Sequence, residues 1–244
     1  MRYLLIFAVL LFMSHPSFGD LIEEISSDLR QVTEELWSRF PTKRYYPLCV
    51  GRSLGTLALY QTAWLPGSNS ALPVSWMGFL GEKFLYDPPA INSSFFQEHL
   101  DALFEHYEKM LPSPEVLGDR ILLPYDYARS GFTLYAIWKT LELFFQKQGT
   151  RVRVEPLAFI DSKTEKWITW PNTIDLRGYP TLLQKIHDGA LKKIVEFPEP
   201  FRPRLERGMT PQRNPQFGEL LKRIKELSEG PLERCAELLK RGEP

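Results

Sequence analysis

Between Leu21 and Phe40, apolar residues stand at Ile22, Ile25, Leu29, Val32 and Leu36, alternately three and four apart. That spacing is one face of an amphipathic helix, and Pro41 closes it. The pattern then changes. Tyr45 to Val50 is apolar without alternation, which predicts a strand buried on both faces. A turn, Gly51-Arg52-Ser53-Leu54-Gly55, leads into a helix predicted over 56–65 and stopped by Pro66-Gly67. A second strand is expected at 72–79 and a loop, with Pro88-Pro89, at 81–92. Ser94, with Gln97 three residues on, opens a helix whose apolar face is Phe96, Leu100, Leu103 and Tyr107. Pro112 and Pro114 end it. Strands are expected at 120–125 and 151–160, with a loop at 126–133 and an apolar-faced helix at 134–147 between them.

Strand, turn and helix in this alternation predict a single α/β domain, a parallel sheet flanked by helices. The pattern weakens after Asp161. Helical spacing returns at 181–194, 217–227 and 231–239. The expected organisation is an N-terminal helix over 20–44, the α/β domain over 45–200 and a C-terminal helical extension over 201–244. No internal repeat interrupts it.

The first residues have a different character. Met1-Arg2 is followed by an uncharged apolar run to Met13, then Pro16 and the small residues Ser17 and Gly19. That is the layout of a signal peptide over 1–19, and the run is shorter than the ~20 residues of a spanning helix. Cleavage after Gly19 would make the protein exported, periplasmic or secreted, with no stable transmembrane segment left in the mature chain. An oxidising destination makes Cys49 and Cys235 candidate disulfide partners, while the apolar neighbours of Cys49 favour a buried thiol.

Composition narrows the function classes. Thirty Lys+Arg against thirty Asp+Glu gives a net charge of zero, without the basic surplus of a phosphate-neutralising nucleic-acid binder. Two cysteines are too few for a disulfide scaffold or a four-thiolate metal site. His99 and His106 are seven apart and make no helical metal pair, so no metal ligands are assigned. Trp167, Trp170 and Tyr179 offer either a stacking surface or ordinary core material.

Ligands of open parallel sheets bind at the carboxyl ends of the strands. The segment from Ile121 to Leu134 has the right form: an apolar strand, an acid at Asp126, a short loop with Ser130, Gly131 and Thr133, then a helix. A helix N-terminus offers unpaired N–H groups and partial positive charge to a phosphate.

This segment resembles the phosphoribosyl-pyrophosphate motif of the type I phosphoribosyltransferases. Asp126 stands at the second of the motif's two acids, with Tyr125 in place of the first. Ala128, Arg129, Ser130, Gly131, Phe132 and Thr133 stand at the loop that holds the 5′-phosphate. The resemblance implies that Arg52 and Ser53, after the first strand, bind a diphosphate. It also implies that Lys83 and Tyr86 lie in a mobile loop. The implied activity is binding of a phosphorylated ribose or diphosphate-type ligand. If the protein is catalytic, the reaction is glycosyl transfer with Asp126 at the reacting centre and Mg²⁺ as helper.

A second motif competes. Gly51-Arg52-Ser53-Leu54-Gly55 is a G-x-S-x-G after a strand and before a helix, similar to the nucleophile elbow of α/β-hydrolases. It would make the protein a secreted serine esterase, with Ser53 as nucleophile, Asp126 or Asp161 as orienting acid and His187 as base. Only one helix precedes the first strand, which is little for that fold. A non-catalytic interaction protein on the same fold is the third expectation.

Overall fold

The computed structural model describes residues 18–51, 53–65, 67–72, 74, 77–86 and 94–191. The expectations for residues 1–17, for Arg52, for Cys235 and for the C-terminal helices lie outside them.

Five parallel strands form one sheet in the order β2-β1-β3-β4-β5. They are β1 (Tyr45–Val50), β2 (Ser70–Leu72), β3 (Ile121–Tyr127), β4 (Leu157–Ile160) and β5 (Asn172–Asp175). The helices are α1 (Phe18–Arg39), α2 (Gly55–Trp64), α3 (Gly78–Tyr86), α4 (Ser94–Met110), α5 (Pro114–Leu117), α6 (Phe132–Lys147) and α7 (Pro180–His187). The α/β class and the parallel sheet flanked by helices are as the sequence predicts.

Each sheet face carries its own core. On one, Ile25, Leu29, Val32 and Leu36 of α1 pack with Leu57 and Trp64 of α2, Leu182 and Ile186 of α7, and Leu123, Tyr125 and Phe159 of the sheet. All four α1 residues are fully buried, each worth about 1.5–3 kcal/mol over exposure. The opposite face holds Leu80 of α3, Leu100, Leu103 and Tyr107 of α4, and Ile137, Leu141 and Phe144 of α6. Tyr107 donates to or accepts from the buried Thr140 hydroxyl at 2.7 Å, which ties α4 to α6.

The two faces follow from chain direction. From β1 the chain crosses to β2 over α2, on the first face; from β3 it crosses to β4 over α6, on the second. Right-handed crossovers running in opposite directions must use opposite faces. The order reverses between β1 and β3, whose carboxyl ends diverge into loops there. Such a reversal opens a crevice in doubly wound sheets.

Several elements depart from the periodicity. The strand expected at 72–79 is Ser70–Leu72, and α3 begins at Gly78, inside the expected span. Pro73 has no N–H to extend a ladder, and the buried Met77 and Leu80 lie at helical spacing. The loop expected from Gly81 is therefore helical as far as Tyr86. The strand expected at 151–160 contracts to Leu157–Ile160 behind Pro156, with a single bridge from Val154 to Leu122. β5 had no periodic signal, because only Ile174 of its four residues is buried.

Candidate functional site

β3 places the first group. Asp126 is its penultimate residue, in register with Ala158 of β4, and is 7% exposed. Its Oδ1 accepts from the Tyr127 backbone N–H at 2.8 Å. Its Oδ2 faces the turn after β1, where a Cβ on Gly51 would stand 4.0 Å away. Tyr125, at the position of the motif's first acid, turns the other way. It is fully buried in the first core, and its hydroxyl donates to Gln61 Oε1 at 3.1 Å. Burial pushes its hydroxyl well above the ordinary phenol range, so it supplies no second carboxylate-like group. Cys49 beside it is buried and its thiol is likewise pushed up by burial.

After β3 the chain rounds a short loop into α6. Ala128 is still part of the ladder: its N–H donates to Phe159 O at 2.9 Å and its side chain is buried. The free part of the loop begins at Arg129. Gly131 is the N-cap of α6, with φ +75° and no side-chain cap. A side chain there would be doubly resisted. The left-handed backbone disfavours any Cβ, and a Cβ would meet Trp170 Cζ2 at 2.7 Å. From the other side, Gly81 of α3 lies so close to the Phe132 carbonyl that a Cβ would be 2.0 Å from its oxygen. The Glu165 N–H donates to Arg129 O at 2.8 Å. The loop is thus held between α3 and the β4–β5 connection, while the first N–H groups of α6 precede its first turn of hydrogen bonds.

A notch of about 260 Å³ opens at this point. Its walls include Ser53 from the β1 turn, Asp126 from β3, and Arg129, Ser130, Gly131 and Thr133 from the loop. Ala128 and Phe132 belong to the segment but face elsewhere. The Phe132 ring lies 4.1 Å from that of Trp167. Tyr86, on α3, lies 6.3 Å from Phe132 and is exposed.

The far wall was not expected as a unit. Lys163 and His187 line the notch as well. Asp161, at the end of β4, has a fully buried side chain, and its Oδ2 lies 2.6 Å from His187 Nε2. The Tyr127 hydroxyl donates to the same oxygen at 3.1 Å and lies 3.0 Å from Nε2. Asp161 Oδ1 accepts from the Lys163 N–H at 2.9 Å. Burial would raise the Asp161 carboxyl, but the bonds from Lys163, His187 and Tyr127 outweigh it and hold the group below its ordinary range. Burial and the neighbouring Asp161 push the Tyr127 hydroxyl well up. An ionised carboxylate only accepts, so Nε2 carries the hydrogen. On the ring's other side Nδ1 lies 3.4 Å from the Lys163 ammonium.

His187 and Ser53 therefore share the notch, yet the hydrogen bonds of His187 among the described residues go to Asp161, Tyr127 and Lys163. Asp161 and His187 were legible in the sequence only as possible partners of Ser53, and Lys163 and Tyr127 were missed. One signal pointed to Lys163: it stands two residues past the acid that ends an apolar strand. Among the described residues, no group of three His, Cys, Asp or Glu could hold a metal ion. No described helix is long and apolar enough to cross a membrane.

The class this geometry defines is a doubly wound α/β domain with a polar notch at the reversal of its strand order. Neither a protein-family model nor a curated protein matches the chain.

Proposed function

We propose that the notch binds a phosphorylated ribose or a closely similar phosphate ester. One observation carries this reading: the rigidly clamped loop from Arg129 to Thr133 opens α6 directly onto the notch, with Asp126 beside it. The phosphate would accept from the first N–H groups of α6 and from the Ser130 and Thr133 hydroxyls. Asp126 would accept from sugar hydroxyls. The notch lies below the ~300 Å³ at which ordinary ligand pockets begin, which suits a sugar phosphate better than a whole dinucleotide.

Turnover, where it occurs, would be glycosyl transfer at the ribose carbon with diphosphate as leaving group. Mg²⁺ is commonly bound by one or two carboxylates plus substrate phosphates, and Asp126 would be the carboxylate that shares it. With Tyr125 turned into the core, a single acid serves here. Export, as the N-terminal residues suggest, favours binding over turnover of a cytoplasmic metabolite.

Isothermal titration of the full chain with ribose 5-phosphate tests the reading. Wild type should bind, and Ser130→Ala with Thr133→Val should weaken binding by at least about tenfold, as loss of charge-assisted hydrogen bonds does. Absence of binding by the wild type refutes it.

A secreted serine esterase is the second reading, favoured by the presence of Ser53 and His187 in one notch. Fluorophosphonate labelling that Ser53→Ala abolishes would establish it and displace the first.

A further inference from the structure

Among the described residues, the β4 side of the notch carries a cation without a carboxylate partner. Among the described residues Arg129 and Lys163 are the Arg and Lys side chains that line it, and Lys163 makes no ion pair there. Its neighbour Asp161 is the obvious counter-charge, but that carboxylate is buried and saturated. His187 Nε2, the Tyr127 hydroxyl, the Lys163 backbone N–H and the Thr164 hydroxyl all bond to it. The Lys163 ammonium instead lies 3.4 Å from His187 Nδ1. Asp161 thus fixes the Lys163 backbone through Oδ1 and orients the imidazole that faces its side chain through Oδ2.

We propose that Lys163 is a binding residue for a second anionic group of the ligand. The β4 end of the notch is then an oxyanion subsite, distinct from the α6 loop that takes the first phosphate. His187 and Asp161 are positioning residues for it. The ligand class is a sugar carrying two phosphate-type groups. The placement differs from that implied by the sequence, which assigned the second group to Arg52 on the β1 side. It rests on the sugar-phosphate reading of the loop, and the test separates the two.

The probes are ribose 5-phosphate and ribose 1,5-bisphosphate, titrated without metal into the full chain. Wild type should bind the bisphosphate about tenfold or more tightly than the monophosphate, a preference that shrinks as salt screens an exposed charge. Lys163→Ala should erase that preference while still binding ribose 5-phosphate, which also shows that the variant is folded. Lys163→Arg should retain it, and so should Arg52→Ala. The inference is overturned if wild type has no preference, if Lys163→Ala keeps it, or if Arg52→Ala removes it. If ribose 5-phosphate fails to bind but the bisphosphate binds through Lys163, the subsite stands and the reading of the loop falls. If neither binds, both fall.

Discussion

Gly131 is the residue on which the site's shape depends most. Its φ of +75° costs a non-glycine residue roughly 1–2 kcal/mol, and the indole of Trp170 stands where a Cβ would go. Gly131→Ala should lower unfolding free energy by at least that amount in urea titrations and reduce ribose 5-phosphate affinity in parallel. Asp161 makes a prediction about pH. Its carboxyl is held below the ordinary range in the folded protein, so its stabilisation is present above the unfolded value, about pH 4. It is lost as pH falls through the lower folded value. Asp161→Asn should therefore be less stable at neutral pH, with the difference from wild type closing in acid; parallel thermal melts from pH 7 to pH 3 check this. The place of Asp126 at the notch was legible because it is an acid at the end of an apolar run. The opposite orientation of Tyr125 follows from strand alternation, which one letter at one position does not reveal.

Among the elements, α7 shows how a site residue is placed from a distance. His187 is its last residue. At the other end, the Leu182 N–H donates to Asp28 Oδ2 of α1 at 2.9 Å, so a side chain from another helix does the work of an N-cap. Lys185 pairs with Glu24 at 2.8 Å, and the Tyr179 hydroxyl bonds to Glu35. Asp28→Ala should cost about 1 kcal/mol, the usual worth of a cap, and should weaken the bisphosphate preference if α7 shifts. Combined denaturation and titration measure both. α3 is the second such element. Gly81→Ala would drive a Cβ into the Phe132 carbonyl, with an overpacking cost of about 1–3 kcal/mol and displacement of the α6 N-terminus. The helix α1 was readable from its spacing because one stripe meets one core. α3 was not, because its apolar residues form only a short run, and short apolar runs suit either period.

For the whole molecule, the strand order decides which loops can meet. With β1 and β3 adjacent at the reversal and β4 next to β3, Ser53, Asp126, the Arg129–Thr133 loop and Lys163 come to one edge although 110 positions separate the first from the last. The parallel sheet was legible from the alternation of strands and helices. The order was not, because no local pattern says which strand lies beside which; the far wall of the notch follows from that order and from α7 folding back. The proposed binding of a phosphate at the loop that opens α6 is open to direct measurement. Amide NMR of the full chain, ¹⁵N-labelled and titrated with ribose 5-phosphate, reads that loop directly. Saturable shifts should be largest at Ser130, Gly131, Phe132 and Thr133, with smaller ones at Tyr127. Shifts confined to other parts of the chain, or none at millimolar ligand, would contradict it.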